Sequence, residues 1–82
     1  MQVQPRSCKI DNSGIAYKKR EYDTFDNIDD ALSLMEGLAR KTYRTYANEH
    51  HCDTLHLKED LDDLKITLKD DNLKIVFYLA FL

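Results

Sequence analysis

The sequence predicts a single α+β domain in which one long amphipathic helix packs on an antiparallel sheet of about four strands. Three observations support this prediction. Apolar residues recur at helical spacing from Ile28 to about Asn48, residues 64–69 alternate strictly, and residues 73–82 are almost entirely apolar. The predicted order is β-β-α-(short element)-β-β, and 82 residues are the length of one domain.

A hairpin is predicted at the beginning of the chain. Residues 1–6 contain the only proline and are expected to form a loose N-terminal arm, followed by a short strand at residues 7–10. Residues 11–14, Asp-Asn-Ser-Gly, are typical of a turn, because Asn and Gly tolerate the positive φ angles that tight turns require. Residues 15–22 then form the second strand.

The helix is predicted to begin at Asp26 or Asn27, since either side chain can accept a hydrogen bond from a free backbone N–H group. Asp29 and Asp30 follow in the first turn, where acids complement the helix dipole. The apolar stripe is wide, which favours packing on a sheet over a narrow coiled-coil seam. Its members are Ile28, Ala31, Leu32, Leu34, Met35, Leu38, Ala39, Tyr43 and Tyr46.

Residues 49–63 have no clear period. Asp53-Thr54 can cap a short helix, whereas residues 54–57 can equally form a short strand, so both alternatives stay open. Residues 64–69 form the clearest half-buried strand, and the polar turn at residues 70–72 returns the chain antiparallel into the last strand.

The last stretch, residues 73–82, is the most informative. Nine of its ten residues are apolar, yet it is too short for a membrane helix, which needs about 20. A strand with one hydrated face alternates apolar and polar residues, so this strand should be covered on both faces. One helix covers only one face. A partner on the other face, or pairing through a free edge of this strand, would complete the burial.

Strand periodicity divides the residues between the two faces of the predicted sheet. The side facing the helix is predicted to hold Cys8, Ile10, Ile15, Tyr17, Leu64, Ile66, Leu68, Ile75, Phe77, Leu79 and Phe81. The opposite side is predicted to hold Lys9, Ala16, Lys18, Arg20, Lys65, Thr67, Lys69, Val76, Tyr78, Ala80 and Leu82.

These faces predict a small non-enzymatic protein-binding module that self-associates, docks on a protein partner, or both. By class-level analogy, it would be a modulator or inhibitor of the kind encoded by phages and mobile elements. An apolar centre with a charged rim is ordinary interface anatomy. The predicted protein-binding residues are Ala16, Thr67, Val76, Tyr78, Ala80 and Leu82.

Two alternatives remain open for this face. The N-terminal arm or the short element can fold over it and leave no docking surface. Alternatively, the face can bind nucleic acid, since RNA-binding sheets place stacking aromatics among basic side chains. The residues of that second alternative are Lys18, Arg20, Lys65 and Lys69 together with Tyr78.

Composition narrows the functional classes. The net charge of −3 argues against a polycation that coats nucleic acid. The opening residues lack an apolar h-region and the chain has two cysteines, so we expect a cytoplasmic protein with free thiols. With two glycines and no nucleophile, phosphate-loop or dinucleotide motif, neither an enzyme nor a cofactor is predicted.

Two side-chain clusters carry weak functional signals. His50, His51, Cys52 and His56 have metal-ligand types but lack the paired spacing of a zinc site; no metal is predicted, and His51, Cys52 and His56 are the candidates if one binds. Arg40, Lys41 and Arg44 can form a phosphate-binding patch, although a solvated helix face is the favoured interpretation.

Overall fold

The computed structural model describes residues 2–50, 55–60, 62–71 and 73–82. The five strands form one antiparallel sheet in the order β2-β1-β5-β4-β3. The predicted α+β class and element order are confirmed, with five strands rather than four. The elements are β1 (Val3–Ile10), β2 (Ala16–Glu21), α1 (Ile28–His50), β3 (His56–Asp60), β4 (Lys65–Lys69) and β5 (Lys74–Phe81).

The short element is a strand. β3 (His56–Asp60) pairs antiparallel with β4 along its whole length and forms one edge of the sheet. The helical alternative for its described residues is therefore wrong. The chain preceding it, residues 51–54, lies outside the described residues.

The prediction of a loose arm was wrong for residues 3–6, which belong to β1. Val3 and Pro5 are buried, and Val3 exchanges two backbone hydrogen bonds of 2.8 Å with Phe25. The Pro5 carbonyl accepts a hydrogen bond from the Tyr22 N–H, 3.0 Å away and just past the end of β2. Because N and O of a strand residue point the same way, the N–H that proline lacks costs no bond to β5.

Helix α1 begins at Ile28 as the capping residues predict. The Asn27 Oδ1 accepts a hydrogen bond of 2.9 Å from the Asp30 N–H, which satisfies one of the free donors of the first turn. The helix packs across β1, β5 and β4. The buried core between helix and sheet consists of Val3, Ala31, Met35, Ala39, Leu55, Ile66, Leu68, Ile75, Phe77 and Leu79.

Strand β5 is the middle strand of the sheet. It pairs with β1 on one side and with β4 on the other, so the predicted free edge of the last strand does not exist. The free edges belong to β2 and β3. A central position explains the apolar run: Ile75, Phe77 and Leu79 lie in the core under α1, while the alternate residues fill the middle of the other face.

The predicted faces are correct for β4 and β5 and partly wrong for the first hairpin. Ile66, Leu68, Ile75, Phe77 and Leu79 are buried as expected.

In β1, however, Ser7 pairs with Phe77 and Cys8 with Val76, so Cys8 and Ile10 lie on the side away from the helix and Lys9 lies on the helix side. Buried Val3 and Pro5 determine which residues of β1 face the helix, and both lie in the segment predicted to be an arm.

Four further residues assigned to the helix side are less buried than predicted. Ile15 lies outside β2 and is exposed, and Tyr17 is exposed at the edge of the sheet. Phe81 is on the correct side but 53% exposed, because it ends β5, and Leu64 is half-buried in the turn before β4. The core is therefore narrower than the sheet.

Candidate functional site

The candidate site is the side of the sheet that faces away from α1, here called the open face. Residues paired across neighbouring antiparallel strands lie on the same face, so the register places its side chains in transverse rows. One row runs across all five strands: Glu21, Arg6, Tyr78, Lys65 and Asp60. Tyr78 thus lies at the centre of the row, with one base on each side and an acid at each edge.

Two further rows complete the middle of the open face. Cys8, Val76, Thr67 and Lys58 form one row, and Ala16, Ile10, Lys74, Lys69 and His56 form the other. Near the middle, β1 and β5 thus contribute the small or apolar side chains of Cys8, Ile10 and Val76, while Lys74 lies at the start of β5. Lys58, Lys69 and His56 occupy β4 and β3 positions toward one edge.

No described helix or strand covers this face, since α1 packs on the opposite side. Val76, Tyr78 and Ala80 are half-buried, because their neighbours on the sheet cover part of each side chain. The prediction that β5 is covered on both faces is therefore met for one face: among the described residues, α1 covers the helix side and no helix or strand covers the other.

The open face is basic although the whole chain carries a net charge of −3. Its strands contribute five bases, Arg6, Lys58, Lys65, Lys69 and Lys74, against two acids, Glu21 and Asp60.

The ion pairs on this side are long: Arg6 Nη2 lies 3.9 Å from Glu21 Oε1, and Lys65 Nζ lies 4.0 Å from Asp63 Oδ2. Long surface pairs of this kind contribute about 1 kcal/mol or less, so they hold these bases only weakly. The Arg6 Nε also donates a 3.0 Å hydrogen bond to Gln4 Oε1.

The predicted protein-binding residues largely come together. Thr67, Val76, Tyr78 and Ala80 form a continuous group on β4 and β5. Ala16 lies two strands from β5, at the edge end of its row.

Leu82 follows β5 and is 60% exposed. Its N–H donates a 2.9 Å hydrogen bond to the Gln2 carbonyl, which extends the β1–β5 pairing beyond the end of the strand.

The predicted nucleic-acid residues do not share one face. Lys65 and Lys69 lie on the open face, but Arg20 pairs with Ser7 on the helix side of the sheet. The β1–β2 register shifts between Ser7 and Lys9, and Lys18 has a φ of 47° within this bulge. Strict alternation fails at a bulge, which is why sequence periodicity misplaced Arg20.

Sequence reasoning missed several residues of the open face. Arg6 was hidden in the presumed arm, and Lys58 in the segment without a clear period. Lys74 had a usable signal, because it lies two positions before Val76 on the same strand.

The weak metal candidates are not assembled by the described part of the chain. His56 lies on the open face at its β3 edge, whereas His51 and Cys52 lie outside the described residues. Among the described residues, no group of three or more His, Cys, Asp and Glu side chains is placed to hold a metal ion. The described helix is not long and apolar enough to cross a membrane.

Comparison of the chain with known protein families, with curated protein sequences and with solved structures found no match. Its function is therefore inferred from its own residues.

Proposed function

We propose that this protein is a small, non-catalytic binding module that docks on another protein through the open face. The observation that carries the proposal is the middle strand itself. Val76, Tyr78 and Ala80 are half-buried at the centre of a face that no described element covers. Charged side chains surround them, so the face has the apolar centre and polar rim of a protein interface.

The charge of the open face selects the kind of partner. Its bases outnumber its acids, so two copies placed face to face would bring like charges together. A partner with an apolar contact surrounded by Asp and Glu fits better than a second copy. By occupying such a surface, a domain of this size would modulate or inhibit its partner, and we propose a cytoplasmic location for this activity.

The test is a selection from a random peptide library on the immobilised protein. We expect the enriched peptides to combine Asp or Glu with aliphatic or aromatic residues. Replacing Tyr78→Glu should weaken binding of those peptides at least tenfold, about 1.4 kcal/mol, because it puts a charge in the apolar centre and repels an acidic partner. Ser33→Glu, on the exposed surface of α1, is the matched control and should leave binding unchanged.

Two outcomes would overturn the proposal. Peptides that bind Tyr78→Glu as tightly as the unchanged protein would use another surface. Sedimentation of the protein as a dimer that Tyr78→Glu dissociates would show that a second copy occupies the open face. Circular dichroism of both variants should match the unchanged protein, because both side chains lie outside the core.

A second candidate function, nucleic-acid binding, is favoured by one observation. Tyr78 is flanked in register by Arg6 and Lys65, an aromatic between two bases. Fluorescence anisotropy of a labelled single-stranded oligonucleotide tests it. If nucleic acid is the ligand, affinity falls steeply with salt and is lost in a Lys65→Glu/Lys69→Glu variant. Binding that is absent, or that both substitutions leave unchanged, contradicts this candidate.

A further inference from the structure

A cleft of about 600 Å³ lies on the helix side of the sheet, between α1 and the β1–β2 hairpin. It forms because α1 packs on β1, β5 and β4 and leaves β2 uncovered. One wall is a single face of the helix, contributed by Leu38, Lys41, Thr42, Thr45, Tyr46 and Glu49, which recur at intervals of three and four. This volume lies within the range of about 300–1,000 Å³ typical of small-molecule sites.

The opposite wall is built by the bulge in β2. The consecutive residues Lys18, Lys19 and Arg20 all line the cleft, and the pairing of Arg20 with Ser7 places Arg20 on the helix side of the sheet. The register shift and the positive φ of Lys18 break the alternation at this point. Bulges redirect side chains in this way, and here the result is a concentration of positive charge at one site.

The cleft is strongly basic. It is lined by five cations and one acid, which are Lys9, Lys18, Lys19, Arg20, Lys41 and Glu49. In the part of the chain that the structure describes, none of the five cations forms an ion pair. Like charges gathered at one site repel one another, so an anion with several negative charges would offset this repulsion.

The floor of the cleft has a different chemistry. Leu38, Ile75 and Phe77 line it; Ile75 and Phe77 belong to the core, and the half-buried Leu38 offers an apolar surface to a flat or apolar group. Beside them, Ser7 Oγ and Tyr22 Oη form a 3.1 Å hydrogen bond, and each hydroxyl keeps capacity for a further bond. The cleft therefore combines a cationic mouth, hydroxyl groups and an apolar floor.

From this combination we propose that the cleft, here called the basic cleft, binds a phosphorylated small molecule of nucleotide size. The phosphate groups lie among the lysines and Arg20, and the apolar or aromatic part of the ligand lies against the half-buried Leu38 at the floor. The basic cleft is on the opposite side of the sheet from the open face. Its ligand can therefore bind independently of the docking proposed above.

Isothermal titration calorimetry with ATP, pyrophosphate and adenosine tests the proposal. We expect ATP to bind with a dissociation constant of about 1 mM or lower, and at least tenfold more tightly than either of the other two probes. A variant with Arg20→Glu and Lys41→Glu reverses one charge on each wall and should lose binding at least tenfold. Its matched control, Lys65→Glu with Lys69→Glu, makes the same charge change on the open face and should bind ATP within about twofold of the unchanged protein.

Each other outcome overturns the inference. If pyrophosphate binds as tightly as ATP, the apolar floor has no role and the site is a simple anion patch. If adenosine binds as tightly as ATP, the cations have no role in binding. If both double variants lose binding equally, attraction to the overall charge explains it. No binding of any probe removes the site. Circular dichroism spectra that match the unchanged protein show that the substitutions, at three exposed positions and the half-buried Lys65, leave the fold intact.

Discussion

At the residue scale, Asp11 organises the turn between β1 and β2. Its Oδ1 accepts hydrogen bonds from the backbone N–H of Ile15 and of Ser13, both at 2.9 Å, and from the Ser13 hydroxyl at 2.8 Å. These donors stabilise the charged carboxylate, the Ile15 N–H most of all, and hold the pKa of Asp11 below its ordinary value of 3.8. One acidic side chain thus adds three hydrogen bonds to the backbone bonds that Asp11 makes with Ile15 and Gly14 in the same turn.

The lowered pKa predicts how the hairpin responds to pH. Because the folded-state pKa of Asp11 lies below the unfolded value, the stabilisation is complete above the unfolded pKa and is lost as the pH falls through the folded value. An NMR titration should therefore give Asp11 a midpoint below 3.8 in the folded protein and near 3.8 in urea. A folded-state midpoint at or above the urea value would contradict the hydrogen-bond geometry.

The two glycines predict opposite effects of the same substitution. Gly37 lies on the exposed side of α1, and a Cβ there would meet no heavy atom within 4 Å. Gly37→Ala should therefore stabilise the protein by about 1 kcal/mol, the difference in helix propensity. Gly14 has a φ of +83°, so Gly14→Ala should destabilise it by about 1–2 kcal/mol despite equally open space.

Urea denaturation of both glycine variants measures these changes in the free energy of unfolding. A loss of stability in Gly37→Ala would contradict the finding that a Cβ at position 37 has open space around it. An unchanged Gly14→Ala would show that the turn does not require a positive φ.

At the scale of elements, the main difference between structure and prediction is β1, which includes residues 3–6 of the predicted loose arm. Val3 is fully buried, Pro5 is buried, and residues 3–6 pair with β5 from Phe81 to Tyr78. Deleting residues 1–6 should therefore destabilise the protein by more than about 3 kcal/mol, since two core side chains and half of a strand pair are lost.

Thermal denaturation of the truncated protein gives a direct answer, with Leu82 removal as a milder control because that side chain is largely exposed. A truncated protein that melts at the temperature of the full chain would show that residues 1–6 do not contribute to the fold, as expected of a loose arm.

The elements also show what the sequence could predict and what it could not. Alternation located β4, and the helical stripe located α1 with its buried Ala31, Met35 and Ala39. Both signals are local and depend on one periodicity. The order of strands is set by pairing between distant segments, so a strand that reads as apolar throughout was equally compatible with an edge or a central position.

Two local features led to wrong predictions of which residues belong to the candidate site. The proline in β1 suggested an arm. In the structure, the side of Pro5 that lacks an N–H faces Tyr22, just past the end of β2, so no hydrogen bond to β5 is lost. The bulge at Lys18 broke the alternation of β2, which moved Arg20 from the open face to the basic cleft. The sequence predicted the group of Thr67, Val76, Tyr78 and Ala80 because those strands are regular.

At the scale of the whole molecule, basic and acidic side chains are separated. The open face and the basic cleft hold most of the lysines and arginines on the two sides of the sheet. Acids concentrate at the start of α1, at Asp26, Asp29 and Asp30, and around the β3–β4 turn. A net charge of −3 therefore coexists with two surfaces that attract negatively charged ligands.

The central claim is that the open face is free for another molecule to contact, and methyl relaxation tests it most directly. In dilute protein with a soluble gadolinium chelate, the methyl groups of Val76 and Ala80 should relax rapidly. Those of Ile75 and Leu79, which are 6% and 8% exposed under α1, should be protected. Equal protection of all four residues would show that the open face is already covered, and would contradict the account.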